Sequence, residues 1–152
     1  MTVLLEREGL REEELPAFAA EVVERMQASP AFVLWLEGGM GAGKTTFTRA
    51  ALRSLGLNRD APVTSPTYTL FNEYTIAGAW YGHLDLYRAG ADFILAELGV
   101  RDVRDYAGLF VEWPGAPPEG QSLVPTHRLE ITVRSPDTRD FVLVACDTGS
   151  SS

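Results

Sequence analysis

The chain has one cysteine, one lysine and two histidines among its 152 residues. A single cysteine excludes an internal disulfide. Cys146 therefore reads as a small apolar residue of a closing strand in a reducing compartment. No apolar run approaches the roughly 20 residues that a membrane span requires. Met1 to Glu8 lacks the pattern of a signal peptide, so the expected location is cytoplasmic. Positive charge is also scarce, with a formal net charge of −8. Such a chain lacks the basic footprint that binds a phosphodiester backbone. Any nucleic acid in its pathway would be held by another subunit. Repeats, heptads and linkers are absent, so residues 1–152 are expected to be a single domain, with 147–152 as a frayed tail.

The scarcity of lysine draws attention to the one that is present. Twelve of the thirteen basic side chains are arginine, and the exception is Lys44. It follows an apolar run, Phe32 to Leu36, and the glycine-rich stretch Gly38-Gly39-Met40-Gly41-Ala42-Gly43. Thr45 and Thr46 come next. This is G-x-x-x-x-G-K-[ST] in a strand–loop–helix setting. Glycines let the loop curl so that successive N–H groups face phosphate oxygens. The helix that begins near Gly43 adds unpaired N–H groups and the positive end of its dipole. Gly38, Gly41, Ala42, Gly43, Lys44, Thr45 and Thr46 are the expected nucleotide-binding residues. Lys44 would reach the β- and γ-phosphates as a slim point charge, and the Thr45 hydroxyl would sit on Mg²⁺.

The rest of the chain alternates strands and helices. Thr2 to Leu5 reads as a short edge strand, and Arg11 to Gln27 as a helix with Leu15, Phe18, Val22 and Met26 inward. Phe32 to Leu36 has the near-continuous apolar character of a central parallel strand. A helix is expected over Lys44–Leu55, stopped by Gly56. A hydroxyl-rich stretch, Thr64 to Thr69, leads into a strand through Tyr74. Ala77-Gly78 then turns the chain into a third strand, Ala79 to Leu86, to give an antiparallel hairpin. Further expectations are a helix over Ala91–Leu98, a buried strand at Leu109–Val111, a loop over 115–125, and closing strands at Arg128–Val133 and Phe141–Cys146. The expected fold is α/β: a three-layer P-loop NTPase sandwich with a mixed, mainly parallel sheet, an antiparallel hairpin and antiparallel edges.

Nucleotide hydrolysis also needs an acid at the carboxyl end of a strand beside the loop. Glu112, after Leu109-Phe110-Val111, is assigned to the metal. Asp85, after Tyr81-Gly82-His83-Leu84, is assigned to the attacking water. Trp113 would stack on a base or simply pack. His83 could sense phosphate but reads better as a surface residue of the hairpin, and His127 reads as a surface residue. A GTPase is disfavoured: Asp105-Tyr106-Ala107-Gly108 follows a charged segment, and no guanine-reading Asn-Lys-x-Asp is present. A small-molecule kinase has only Arg101 and Arg104 as a candidate lid. A nucleotide-gated binding module remains an alternative to an ATPase.

Several motifs converge on one family. Gly-Ala-Gly-Lys-Thr-Thr at 41–46 is followed by Ser-Pro-Thr-Tyr-Thr-Leu at 65–70 and His-Leu-Asp-Leu-Tyr-Arg at 83–88. Arg-Asp-Tyr at 104–106 and Glu-Trp-Pro at 112–114 complete the series. Together, over roughly residues 32–125, they resemble the TsaE (YjeE) family of P-loop ATPases of tRNA threonylcarbamoyladenosine synthesis. The resemblance implies ATP/ADP and Mg²⁺ as cofactors and TsaD and TsaB as protein partners. TsaD and TsaB would transfer the threonylcarbamoyl group to adenosine 37 of tRNAs reading codons that begin with A. Contact with tRNA would come only through the partner complex, in keeping with the acidic charge. The resemblance also implies weak hydrolysis until partners engage. Lys44 and Thr46 would then bind phosphate, Thr45 and Glu112 would hold Mg²⁺, and Asp85 would serve hydrolysis. Ser65–Thr69 would be a switch-like segment, and Trp113 would lie near the nucleotide. Gly39, Gly115, Ala116 and Ala91-Asp92-Phe93 depart from the family's usual residues.

Overall fold

The structure, a computed structural model, describes residues 1–39, 41–63, 71–85, 102–113 and 124–146. Its elements are β1 (Thr2–Arg11), α1 (Leu15–Met26), β2 (Phe32–Glu37), α2 (Lys44–Leu55), β3 (Phe71–Ile76), β4 (Ala79–Asp85), β5 (Tyr106–Trp113), β6 (His127–Ser135) and β7 (Thr138–Ala145), with 3-10 turns at Glu12–Glu14 and Val103–Asp105. The helix expected over 91–98, the stretch 64–70, most of the loop over 115–125 and the tail 147–152 lie outside the described residues.

All seven strands join one sheet in the order β1-β7-β6-β2-β5-β4-β3. The centre is parallel: β2 lies between β5 and β6, and β4 adds to β5. The margins are antiparallel, formed by β3 against β4 and by the β6–β7 hairpin with β1. This is the mixed sheet expected of a P-loop NTPase. The apolar run of β2 is buried, and both of its ladders are occupied.

Strand parity divides the core. Phe32, Leu34, Leu36, Phe110, Leu129 and Phe141 face α1 and α2, meeting Phe18, Val22, Phe47 and Leu52. Val33, Trp35, Leu109, Val111 and Trp113 form a second cluster on the other face. The described helices therefore cover one face of the sheet.

The amino-terminal segment corrects the sequence reading. The helix expected from Arg11 begins at Leu15, and β1 extends through Arg11, which pairs with Thr138. Pro16, in the first turn of α1, has no N–H to give, so the chain enters the helix through the 3-10 turn. The Glu14 side chain caps the Arg11 N–H at 2.9 Å. A bulge separates Arg7 from Leu10 in the β1–β7 register. Its Gly9 N–H donates to Asp140 Oδ1 at 2.8 Å. Arg134 bridges the same Asp140 to Glu8.

Two histidines also differ from expectation. His127 is buried, because it opens β6 between β2 and β7 with its side chain on the helix-covered face of the sheet. Its Nδ1 meets Thr126 Oγ1 at 2.8 Å, and burial pushes its pKa down. His83 is fully buried and belongs to the site described below. Cys146 sits just past β7 and is half-buried rather than a core residue.

Candidate functional site

The site forms where β2 ends and α2 begins. Gly43 caps α2 with φ +106°, and as a glycine it offers no side chain to the helix's first N–H groups. Gly41 also has a positive φ, +80°. A side chain at either would be strained, and a closed cap would fill the space that an anion needs. At Gly38 the constraint is space: an added Cβ would lie 2.8 Å from the Ile131 carbonyl oxygen.

Lys44 folds back over the loop. Its ammonium donates to the Gly38 carbonyl at 2.5 Å and to the Gly39 carbonyl at 3.4 Å. Burial pushes the Lys44 pKa down, while Glu112 and Asp85 act against that shift. The lysine thus waits on weak neutral acceptors within the field of two acids. The Thr45 hydroxyl donates to Glu112 Oε2 at 2.8 Å. Asp85 ends β4 directly opposite Glu112 in the parallel ladder. Asp85 is 7% exposed and Glu112 is 4% exposed. The loop lysine, the hydroxyl and both strand-end acids thus lie in one cluster.

His83 joins this cluster, where the sequence favours a surface histidine over a phosphate-sensing one. It lies two residues before Asp85 on β4, so it shares that face. Its Nε2 donates to Glu112 Oε2, the oxygen that also accepts from Thr45, and its Nδ1 is buried without a partner among the described residues. The available signal was strand parity: on an alternating strand, a residue at i−2 shares the face of the catalytic candidate.

Trp113 goes elsewhere. Glu112 and Trp113 are adjacent, so their side chains leave opposite faces of β5. Trp113 packs edge-on against Trp35 with ring centroids 5.3 Å apart, in the second core cluster. It is 3% exposed and is not in contact with the loop's cleft. Of the two roles the sequence left open for this indole, stacking on a base or packing, the described residues show the packing.

A cleft of about 420 Å³ opens on the other side of the loop, lined by Gly41–Gly43, Thr46, Leu10, Arg11, Leu15 and Arg139 among others. The sequence reading missed this wall. Leu10 and Arg11 follow the β1 bulge, and no local motif marks them. The Ser65–Thr69 segment and Arg101 lie outside the described residues. Arg104 is engaged with the carboxylate of Asp102 at 2.8 Å.

Among the described residues no group of three or more His, Cys, Asp or Glu forms a ready-made metal cage. The oxygen donors of Thr45, Glu112 and Asp85 still suit Mg²⁺. That ion usually takes one or two protein carboxylates and completes its shell with water and phosphate.

Comparisons with known proteins point to one family. The model of the family described as "Threonylcarbamoyl adenosine biosynthesis protein TsaE" matches residues 10–141. The tRNA threonylcarbamoyladenosine biosynthesis protein TsaE of Haemophilus influenzae is 35% identical over 128 residues, covering 83% of this chain and 78% of its own. The Bacillus subtilis TsaE protein is 36% identical over 121 residues, covering 78% of this chain and 72% of its own. The crystal structure of Bacillus subtilis YdiB superposes with a TM-score of 0.62 at 28% identity, covering 95% of this chain and 88% of that one. With its loop lysine, hydroxyl and paired acids in one cluster, and with this match over most of its length, the chain belongs to the TsaE family.

Proposed function

We propose that the chain is a Mg²⁺-dependent ATPase of tRNA threonylcarbamoyladenosine biosynthesis, the process its family serves. The observation that carries this reading is the Thr45–Glu112 contact at the foot of an uncapped glycine loop. A hydroxyl from the first turn of the helix and a strand-end carboxylate are joined there, where a nucleotide-bound cation needs both.

The residues divide the work. The N–H groups of Gly43, Lys44 and Thr45 cradle the β-phosphate. Lys44 leaves the Gly38 carbonyl and bridges the β- and γ-phosphates, whose negative charge restores the proton affinity that burial reduces. Thr46, at the mouth of the cleft, supports the α-phosphate, and the cleft receives the nucleoside. Thr45 and Glu112 hold Mg²⁺, which when bound neutralises charge on the phosphate oxygens. Asp85 orients a water molecule toward the γ-phosphorus and accepts its proton as the bond to ADP breaks.

The net charge of −8 supports action through protein partners instead of direct contact with tRNA. We assign TsaD and TsaB as those partners and the cytoplasm as the location; no helix among the described residues is long and apolar enough to cross a membrane. The test is phosphate release from ATP, with GTP as control, in the presence and absence of purified TsaD–TsaB. Slow release alone and faster release with the partners are expected. Lys44→Ala should reduce the stimulated rate by about two orders of magnitude. Full stimulated turnover in that variant would overturn the assignment.

A further inference from the structure

Arg139 lies on β7, far in sequence from the glycine loop, yet it touches it. Its Nε–H donates to the Ala42 carbonyl at 3.1 Å, and an Nη2–H reaches the Gly41 carbonyl at 3.4 Å. The other arm, Nη1, donates to the carbonyls of Ser135 and Thr138, each at 3.0 Å. The contacts differ in kind from those of Arg7, Arg104, Arg128 and Arg134, which meet carboxylates, and resemble those of Arg49 and Arg53. Those of Arg139, among the described residues, are to backbone carbonyls.

The geometry has a consequence for the loop. In a planar trans peptide the C=O and the following N–H point in opposite directions. Holding the Ala42 carbonyl toward β7 therefore turns the Gly43 N–H away from β7. Gly43 is in a left-handed conformation with no side chain to restrain it. The guanidinium is a rigid planar fork that stays charged, so it fixes direction as well as distance. We infer that Arg139 is a positioning residue that holds the glycine loop in its phosphate-receiving shape before a ligand arrives. This rests on reading the loop as a phosphate site, and it adds a long-range strut from the β6–β7 hairpin to that site.

The test follows the backbone amides of Gly41–Thr45 by NMR in the nucleotide-free protein, together with binding of Mg–ATP and of inorganic tripolyphosphate with Mg²⁺. Tripolyphosphate probes the loop without filling the nucleoside cleft. Arg139→Met should shift those amides and speed exchange of the Ala42 N–H, which now donates to Gly39 at 3.1 Å. Both ligands should bind about tenfold more weakly. Arg139→Lys keeps the charge without the fork and should fall between Met and the parent. Arg134→Ala, which loosens the same sheet margin through Glu8 and Asp140, should leave the loop amides and both affinities unchanged.

Loss of ATP affinity with unchanged tripolyphosphate binding and unchanged amides would make Arg139 a nucleoside contact and overturn the strut. Parent-like behaviour of Arg139→Lys, or equal effects from Arg134→Ala, would also overturn it. Amides shifted by Arg139→Met, with a parent protein that binds neither ligand, would instead sink the nucleotide reading and leave the strut standing.

Discussion

Glu112 and Trp113 are neighbours in sequence and differ in almost everything else. Glu112 faces α2, where one of its oxygens accepts from both Thr45 and His83. Trp113 faces the opposite side of the sheet and packs on Trp35, its indole N–H unpaired among the described residues. Both are almost fully buried. The difference is one step of strand parity, and it separates chemistry from packing. Burial alone therefore says little about role at this strand end; the face decides. A buried carboxylate is costly unless donors meet it, and the Glu112 face supplies them. The Trp113 face supplies apolar contact and leaves a donor unmatched.

The largest test of this contrast is Glu112→Gln. The amide keeps an oxygen to accept from Thr45 and His83, so the fold should hold to within about 1 kcal/mol. The negative charge that would meet Mg²⁺ is removed. Partner-stimulated phosphate release should fall about 100-fold, with thermal melting nearly unchanged. Undiminished turnover would reduce Glu112 to a structural acceptor and erase the distinction between the two faces.

A smaller effect is expected one residue further out. His83→Phe keeps a buried ring and removes the N–H that holds Glu112. The Mg²⁺ concentration for half-maximal activity should rise about tenfold, as for other residues that orient a metal's carboxylate. A titration of activity against Mg²⁺ measures it. If melting falls while the Mg²⁺ dependence stays put, His83 is core packing and nothing more.

His83 also marks how far the sequence could be read. The glycine loop, Lys44, Thr45, Asp85 and Glu112 were legible because each sits in a local pattern: an apolar strand, then a turn or an acid. The central parallel strands were legible for the same reason. What escaped depended on partners far along the chain. β1 runs to Arg11 because β7 offers a ladder there, and the helix start waits for Pro16. Arg11, past the β1 bulge, and Arg139, on the β6–β7 hairpin, border the cleft. His83 and His127 look like surface residues until the strands on either side are known.

The smallest effect on activity should come from Trp113→Phe, and it bears most directly on the comparison. The indole shares its face with Trp35 and Val111 and has no contact with the cleft. Isothermal titration should therefore find ATP affinity unchanged. Two terms oppose each other in stability. Removing part of a buried aromatic loses apolar contact, about 1–3 kcal/mol for a truncation of this size. Deleting an unpaired buried N–H returns part of that, because the donor is unsatisfied in the fold and hydrated when unfolded. The net loss should be about 1 kcal/mol in a denaturant melt. A tenfold drop in ATP affinity without a matching change in stability would put the indole beside the nucleotide after all. The two faces of β5 would then work on one ligand.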